Sequence, residues 1–145
     1  MRKPSKIQVM DTEFHTEIQS AADIVTARQR GRALALEIGF TGVDVTLVAA
    51  AISEIARNIV DHAKKGEIVL KHLNNVSPNG KHGIQIVARD EGPGIRDVSK
   101  AMQYGYSTRK GLGVGLPGAK WLMDEFEIDS EIGKGTTVTM KKWLR

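Results

Sequence analysis

"GIQIVARDEGPG", residues 83–94, is a strand pattern that runs into two glycines with an acid at the join. Ile84, Ile86 and Ala88 alternate with Gln85, Val87 and Arg89, the period of two that turns one set toward a covered face. Asp90 has the parity of the covered set. An ionised carboxylate facing a core is costly unless donors meet it. Gly92 and Gly94 remove side chains beside it, so a flat ligand can approach the backbone. An amino group on a heterocycle is one donor that suits this acid. A carboxylate bonded to loop amides in an ordinary turn is the other reading these residues allow.

Working outward, "GEIVLKHL" (66–73) reads as a strand and "NNVSPNGKHG" (74–83) as the turn before its hairpin partner. "KIQVMD" (6–11) and "EFHTEI" (13–18) read as two short strands joined by a tight turn. In residues 20–40, Ile24, Ala27, Gly31, Leu34 and Ile38 fall at helical spacing, and Gly39 offers a stop. Residues 41–63 predict a long helix with Val45, Val48, Ile52, Ile55 and Ile59 as its buried stripe and Thr41 or Asp44 as its cap. "GLPGAKWLMDEF" (115–126) predicts a third helix, with Pro117 tolerated in the first turn. "EFEIDSEIG" (125–133) and "TTVTMKKW" (136–143) are strands, with Phe126, Ile128 and Ile132 opposite Glu127, Asp129 and Glu131. The expected fold is an α/β two-layer sandwich, about three helices on one face of a mixed β-sheet, as a single domain over residues 1–145.

Composition narrows the function classes. With 41% hydrophobic and 26% charged residues the balance is that of an ordinary globular protein. No apolar run approaches the roughly 20 residues that cross a bilayer, and "MRKPSKIQVMD" has no apolar segment after its basic residues, so neither a membrane span nor a signal peptide is expected. The absence of cysteine excludes disulfides and thiolate metal sites and makes a cytoplasmic location the expectation. The net charge of +4 is spread along the chain; it admits an anionic ligand or an acidic partner, and equally an ordinary solvated surface. Aromatics at 5% give poor support to a stacking platform, so no nucleic-acid partner is expected.

Two further constellations carry chemistry. In "RKGLGVGLPGAK" (109–120), Gly111, Gly113 and Gly115 precede a helix, where backbone amides and the helix N-terminus receive phosphate oxygens; Arg109 and Lys110 stand before them as cations facing an anion would. A flexible glycine linker is the competing reading. The spacing fits neither the Rossmann fingerprint nor the Walker pattern. On the long helix, Glu54 and Asn58 are four apart and so lie one above the other, on the flank of the apolar stripe. A neutral amide oxygen beside one carboxylate suits magnesium, while an ordinary polar helix flank is the plainer alternative. His62 falls nearer the apolar side and reads as a packed core histidine. His15, His72 and His82 have no metal-ligand spacing.

Taken in order, helix Glu-x-x-x-Asn, strand-end Asp-x-Gly-x-Gly, glycine loop before a helix, and "GKGTT" (133–137) resemble the GHKL, or Bergerat, ATP-binding fold of DNA gyrase, heat-shock protein 90, histidine kinases and MutL. The likeness covers the chain from about residue 20 onward. The run from Gly105 to Trp143 is similar to the RsbT-type serine/threonine kinases of the bacterial stressosome, near relatives of the anti-sigma-factor kinases. That resemblance implies ATP and Mg2+ as cofactors, with Asn58 on the magnesium and Glu54 taking the proton of the attacking hydroxyl. It implies that Asp90 receives the adenine amino group, that Gly92 and Gly94 shape the pocket, and that Thr136 helps fix the adenine edge. Gly111, Gly113 and Gly115 would wrap the phosphates. The lid "MQYGYSTRK" (102–110) is shorter than in many histidine kinases and lacks their phenylalanine box; Arg109 and Lys110 are its candidates for the terminal phosphate.

The implied function is a protein serine/threonine kinase that phosphorylates STAS-domain stressosome proteins (RsbS- and RsbR-like). When released, it would activate a PP2C-type phosphatase (RsbU-like) in a partner-switching pathway controlling a stress sigma factor. The alternative is an anti-sigma-factor kinase that sequesters a sigma factor. A detached histidine-kinase catalytic domain is a third reading, opposed by the lack of dimerisation helices and of a histidine placed on one.

Overall fold

The computed structural model describes residues 13–74, 81–103 and 115–145. In chain order these form β1 (Glu13–Ile18), α1 (Ala21–Ile38), α2 (Gly42–His62), β2 (Gly66–Asn74), β3 (His82–Asp90), the single turn α3 (Val98–Ala101), α4 (Gly115–Leu122), β4 (Glu125–Glu131) and β5 (Gly135–Trp143). The sheet order is β1-β2-β3-β5-β4. "KIQVMD", residues 75–80 and most of the glycine loop lie outside the described residues.

Local chemistry explains the helix ends. Asp23, in the first turn of α1, reaches back to accept the N–H groups of Gln19 at 2.8 Å and Ser20 at 3.2 Å, which satisfies donors that the helix cannot. Gly39, at φ 125°, ends α1 and gives its N–H to Ala35 and Leu36. The chain then doubles back as α2. Between the two helices, a Cβ on Gly31 would overlap Cδ1 of Ile52, so glycine sets their close approach. The predicted stripe of α2 is the one buried: Val45, Val48, Ile52, Ile55 and Ile59 are each nearly inaccessible. They meet Ile68, Leu70, Ile84, Ile86 and Met140 from one face of the sheet, giving the two-layer α/β sandwich.

Every ladder among the described residues is antiparallel. The sheet's connections are not all hairpins. The hairpin of α1 and α2 returns the chain to the end it left, so β2 runs against β1. A connection through α4 brings β4 in along the direction of β3, and β5 is inserted between them. The third helix stops at Leu122, four residues short of the expected end, and Phe126 joins β4. Ile132 departs from the predicted alternation. It sits in the turn after β4 and is 61% exposed, and Ser130 takes the next covered position after Phe126 and Ile128. Lys142 is buried, with Nζ donating to the Leu122 carbonyl at 3.4 Å and facing Asp44 at 3.9 Å. It thereby ties the C-terminal end of α4 to the first turn of α2, where a cation suits both carbonyl and acid.

Candidate active site

A cavity of about 290 Å³ opens between α2, the loop after β3 and the start of α4. Its walls bring together Glu54 and Asn58 from α2, Asp90 and Gly94 from β3 and its loop, Gly115 from α4 and Thr136 from β5. Residues up to 82 positions apart thus face one space.

The sheet end of the cavity is built by strand register. Asp90 is the last residue of β3 and pairs with Thr136 on β5. Its Oδ1 accepts the N–H of Gly92 at 2.9 Å and of Thr136 at 3.3 Å, while Oδ2 receives no donor among the described residues. The core-side acid is therefore met by amides on one oxygen only, which combines the two readings of the sequence. The loop after it is pressed against its surroundings. A Cβ on Gly92 would come within 2.6 Å of the Ala63 side chain, and one on Gly135 would overlap the Asp90 carbonyl. Thr136 is buried, and its Oγ1 lies 2.8 Å from Ser130 Oγ. Ser130 Oγ also accepts the N–H of Ile95 at 2.7 Å, and Gly133 donates to the Pro93 carbonyl at 2.8 Å. The β4–β5 turn and the 91–96 loop are thus clamped together.

The helical end differs. Glu54 is 13% exposed, on the flank expected from its angle to the stripe. Oε1 accepts the N–H of Gly115, the first residue of α4, at 3.2 Å. Oε2 faces Nη1 of Arg57 at 3.5 Å. A carboxylate at a helix N-terminus is favourably placed, and the same amide suits a phosphate oxygen. Asn58, half-buried, lies one turn further along α2. Its carboxamide oxygen beside the Glu54 carboxylate is a donor set that fits magnesium, a hard ion that keeps most of its waters.

Sequence reasoning misplaced one residue and overlooked two. His62 is not in the core: α2 ends over the cavity, so this side chain is exposed and lines the opening. Arg57 was legible as a Glu-x-x-Arg pair at helical spacing. Ser130 had only a broken alternation to mark it. Arg109, Lys110, Gly111 and Gly113 lie outside the described residues, as does most of the lid. Among the described residues no group of three or more His, Cys, Asp or Glu could hold a metal ion, and no helix is long and apolar enough to cross a membrane.

The other histidines lie away from the cavity. His15 is exposed between Glu67 at 3.1 Å and Glu13 at 3.4 Å, and the hydrogen bond to Glu67 raises its pKa above 6.5. His72 stacks near His82, nitrogen to nitrogen at 3.3 Å; burial, and then the charge of His82, lower its pKa, with Glu37 opposing.

This geometry has known counterparts. The chain matches the histidine kinase-like ATPase domain family over residues 19–142. The serine/threonine-protein kinase RsbT of Bacillus subtilis is 48% identical over 136 residues, covering 94% of this chain and 100% of that protein. An anti-sigma F factor of Caldanaerobacter subterraneus subsp. tengcongensis is 32% identical over 139 residues, 94% of each chain. A Mycobacterium tuberculosis structure comprising RsbU and RsbW domains superimposes with a TM-score of 0.58 at 21% identity, over 90% of this chain and 31% of that one, a likeness of fold. With residues 19–142 matched and near-half identity along almost its whole length, the chain belongs to the histidine kinase-like ATPase family and is an ATP-using serine/threonine-protein kinase of the RsbT type.

Proposed function

We propose that this kinase transfers the terminal phosphate of Mg-ATP to a serine or threonine of STAS-domain stressosome proteins, RsbS- and RsbR-like. Once released, it activates a PP2C-type, RsbU-like phosphatase in a cytoplasmic partner-switching pathway that controls a stress sigma factor. The observation that carries this reading is the convergence of Glu54 and Asn58 with Asp90 and Thr136 on one cavity. An acid with a proton-accepting role and a base-recognition wall are then held at opposite ends of a single space.

The roles are those that the family resemblance implies. Asp90, with Gly92, Gly94 and Thr136, holds adenine. Gly115, together with Gly111, Gly113, Arg109 and Lys110, receives the phosphates. Glu54 takes the proton as the substrate oxygen bonds to the terminal phosphorus and the bond from that phosphorus to ADP breaks. Arg57 keeps one Glu54 oxygen directed along α2, leaving Oε1 toward the start of α4. Asn58 holds magnesium, which when bound offsets phosphate charge. Incubation with labelled ATP, magnesium and a STAS protein, followed by mapping of the label, tests the whole reading. Label on a serine or threonine is expected. A stable sigma-factor complex with no transfer would replace it with the anti-sigma alternative.

A further inference from the structure

The hydroxyl of Ser130 lies behind Thr136, at the centre of a small cluster. It accepts the N–H of Ile95 at 2.7 Å, stands 2.8 Å from Thr136 Oγ1 and lies 3.3 Å from the Gly135 carbonyl oxygen. A serine hydroxyl has one proton to give. With Ile95 already donating to it, that proton goes to Gly135 or to Thr136, and 2.8 Å is the usual O–H···O length while 3.3 Å is beyond it. Either hydroxyl can supply the proton of the 2.8 Å contact; with Ser130 as its donor, Thr136 keeps its own proton for the cavity it lines.

Beside that donor stands an acceptor. The amides of Gly92 and Thr136 both fall on Asp90 Oδ1, so Oδ2 is the oxygen left to accept from a ligand. An acceptor next to a donor complements adenine, whose edge offers an amino donor next to a ring-nitrogen acceptor. Guanine offers the reverse, a carbonyl acceptor next to an N–H donor. We propose that Ser130 is a positioning residue for base selectivity: acting through Thr136, it directs that hydroxyl outward and so sets the preference for adenine over guanine. The inference rests on the reading of Asp90 and Thr136 as the base-binding wall.

Affinities for ATP and GTP, measured by calorimetry alongside KM and kcat, test it in four proteins: wild type, S130A, T136V and the double variant. In S130A the ATP-to-GTP ratio is expected to fall by about threefold to tenfold, the worth of roughly one hydrogen bond. The loss should appear in KM and not in kcat. S130T keeps the hydroxyl and should hold the wild-type ratio. If S130A does not fold, S130C fills the site with a poor donor and carries the same expectation. In the T136V background the added S130A change should leave the ratio where it was. A ratio that survives S130A, or that falls as far in the T136V background, overturns the proposal. A wild type with no preference for ATP overturns the base-wall reading itself, an outcome distinct from either.

Discussion

At the Asp90 end of the cavity, the polar groups are tied into the sheet. Asp90 and Thr136 face each other across a β-ladder, Ser130 bridges to Ile95, and glycines allow backbone to press on backbone. At the Glu54 end, the groups hang from a helix flank and from the first residue of another helix, with single bonds to Gly115 and Arg57. The difference is one of material. A ladder holds its members by several backbone bonds at once, which suits discrimination between similar bases. A flank carboxylate with one amide partner can exchange that partner, which suits a group that must accept a proton and let go of it.

The comparison is most exposed at Glu54. E54Q keeps shape and hydrogen-bonding reach but removes proton affinity, so phosphoryl transfer should fall by about 10²–10⁴-fold while ATP affinity stays near wild type. Quantified label transfer beside calorimetry measures both, and a wild-type rate would reduce this end of the cavity to structure. Asn58→Ala follows. Its affinity for ATP in magnesium should drop to the value found without magnesium, with an unchanged melting temperature because a half-buried flank amide adds little to the core. An affinity that still responds to magnesium breaks the metal assignment.

At the sheet end, Asp90→Asn should weaken ATP by about 1–3 kcal/mol, since the amide keeps one acceptor. Inorganic triphosphate should bind as before. Equal losses for both ligands would mean that the two ends are not separate devices.

The smallest effects lie outside the cavity and have opposite signs. His72 holds its proton less tightly when folded, so the unfolded chain binds more protons once the pH falls below about 6.5. Its contribution is then lost with falling pH, and H72N should flatten that loss. His15 holds its proton more tightly when folded. It contributes stability below about 6.5 that disappears as the pH rises through its folded pKa, and H15Q should remove that contribution. Urea unfolding across the range from acid to neutral pH reads both slopes; slopes of one sign would contradict the pairing of His15 with Glu67 or the burial of His72.

Much of this molecule was legible in local pattern. The α2 stripe, the covered parity of Asp90 and the four-residue spacing of Glu54 and Asn58 are periodicities of 3.6 and 2, and any segment that adopts the element must obey them. The order of the chemical residues along the chain was equally visible, and it pointed to the ATP-binding fold before any contact was known. Local pattern also failed in recognisable ways. His62 followed the stripe's angle, but a stripe does not say where the sheet beneath it ends. Ile132 kept the alternation, but the turn had already begun.

What only the tertiary structure decided is which group answers which. Glu54 finds its amide 61 residues away at Gly115, and Ile95 finds the Ser130 hydroxyl across 35. Such partners depend on strand register and on how α4 lies against α2, and neither is written in the periodicity of one segment. A short polar residue such as Ser130 has no periodic signature of its own. Its meaning comes from the single proton it carries and from the three groups that the fold places around it.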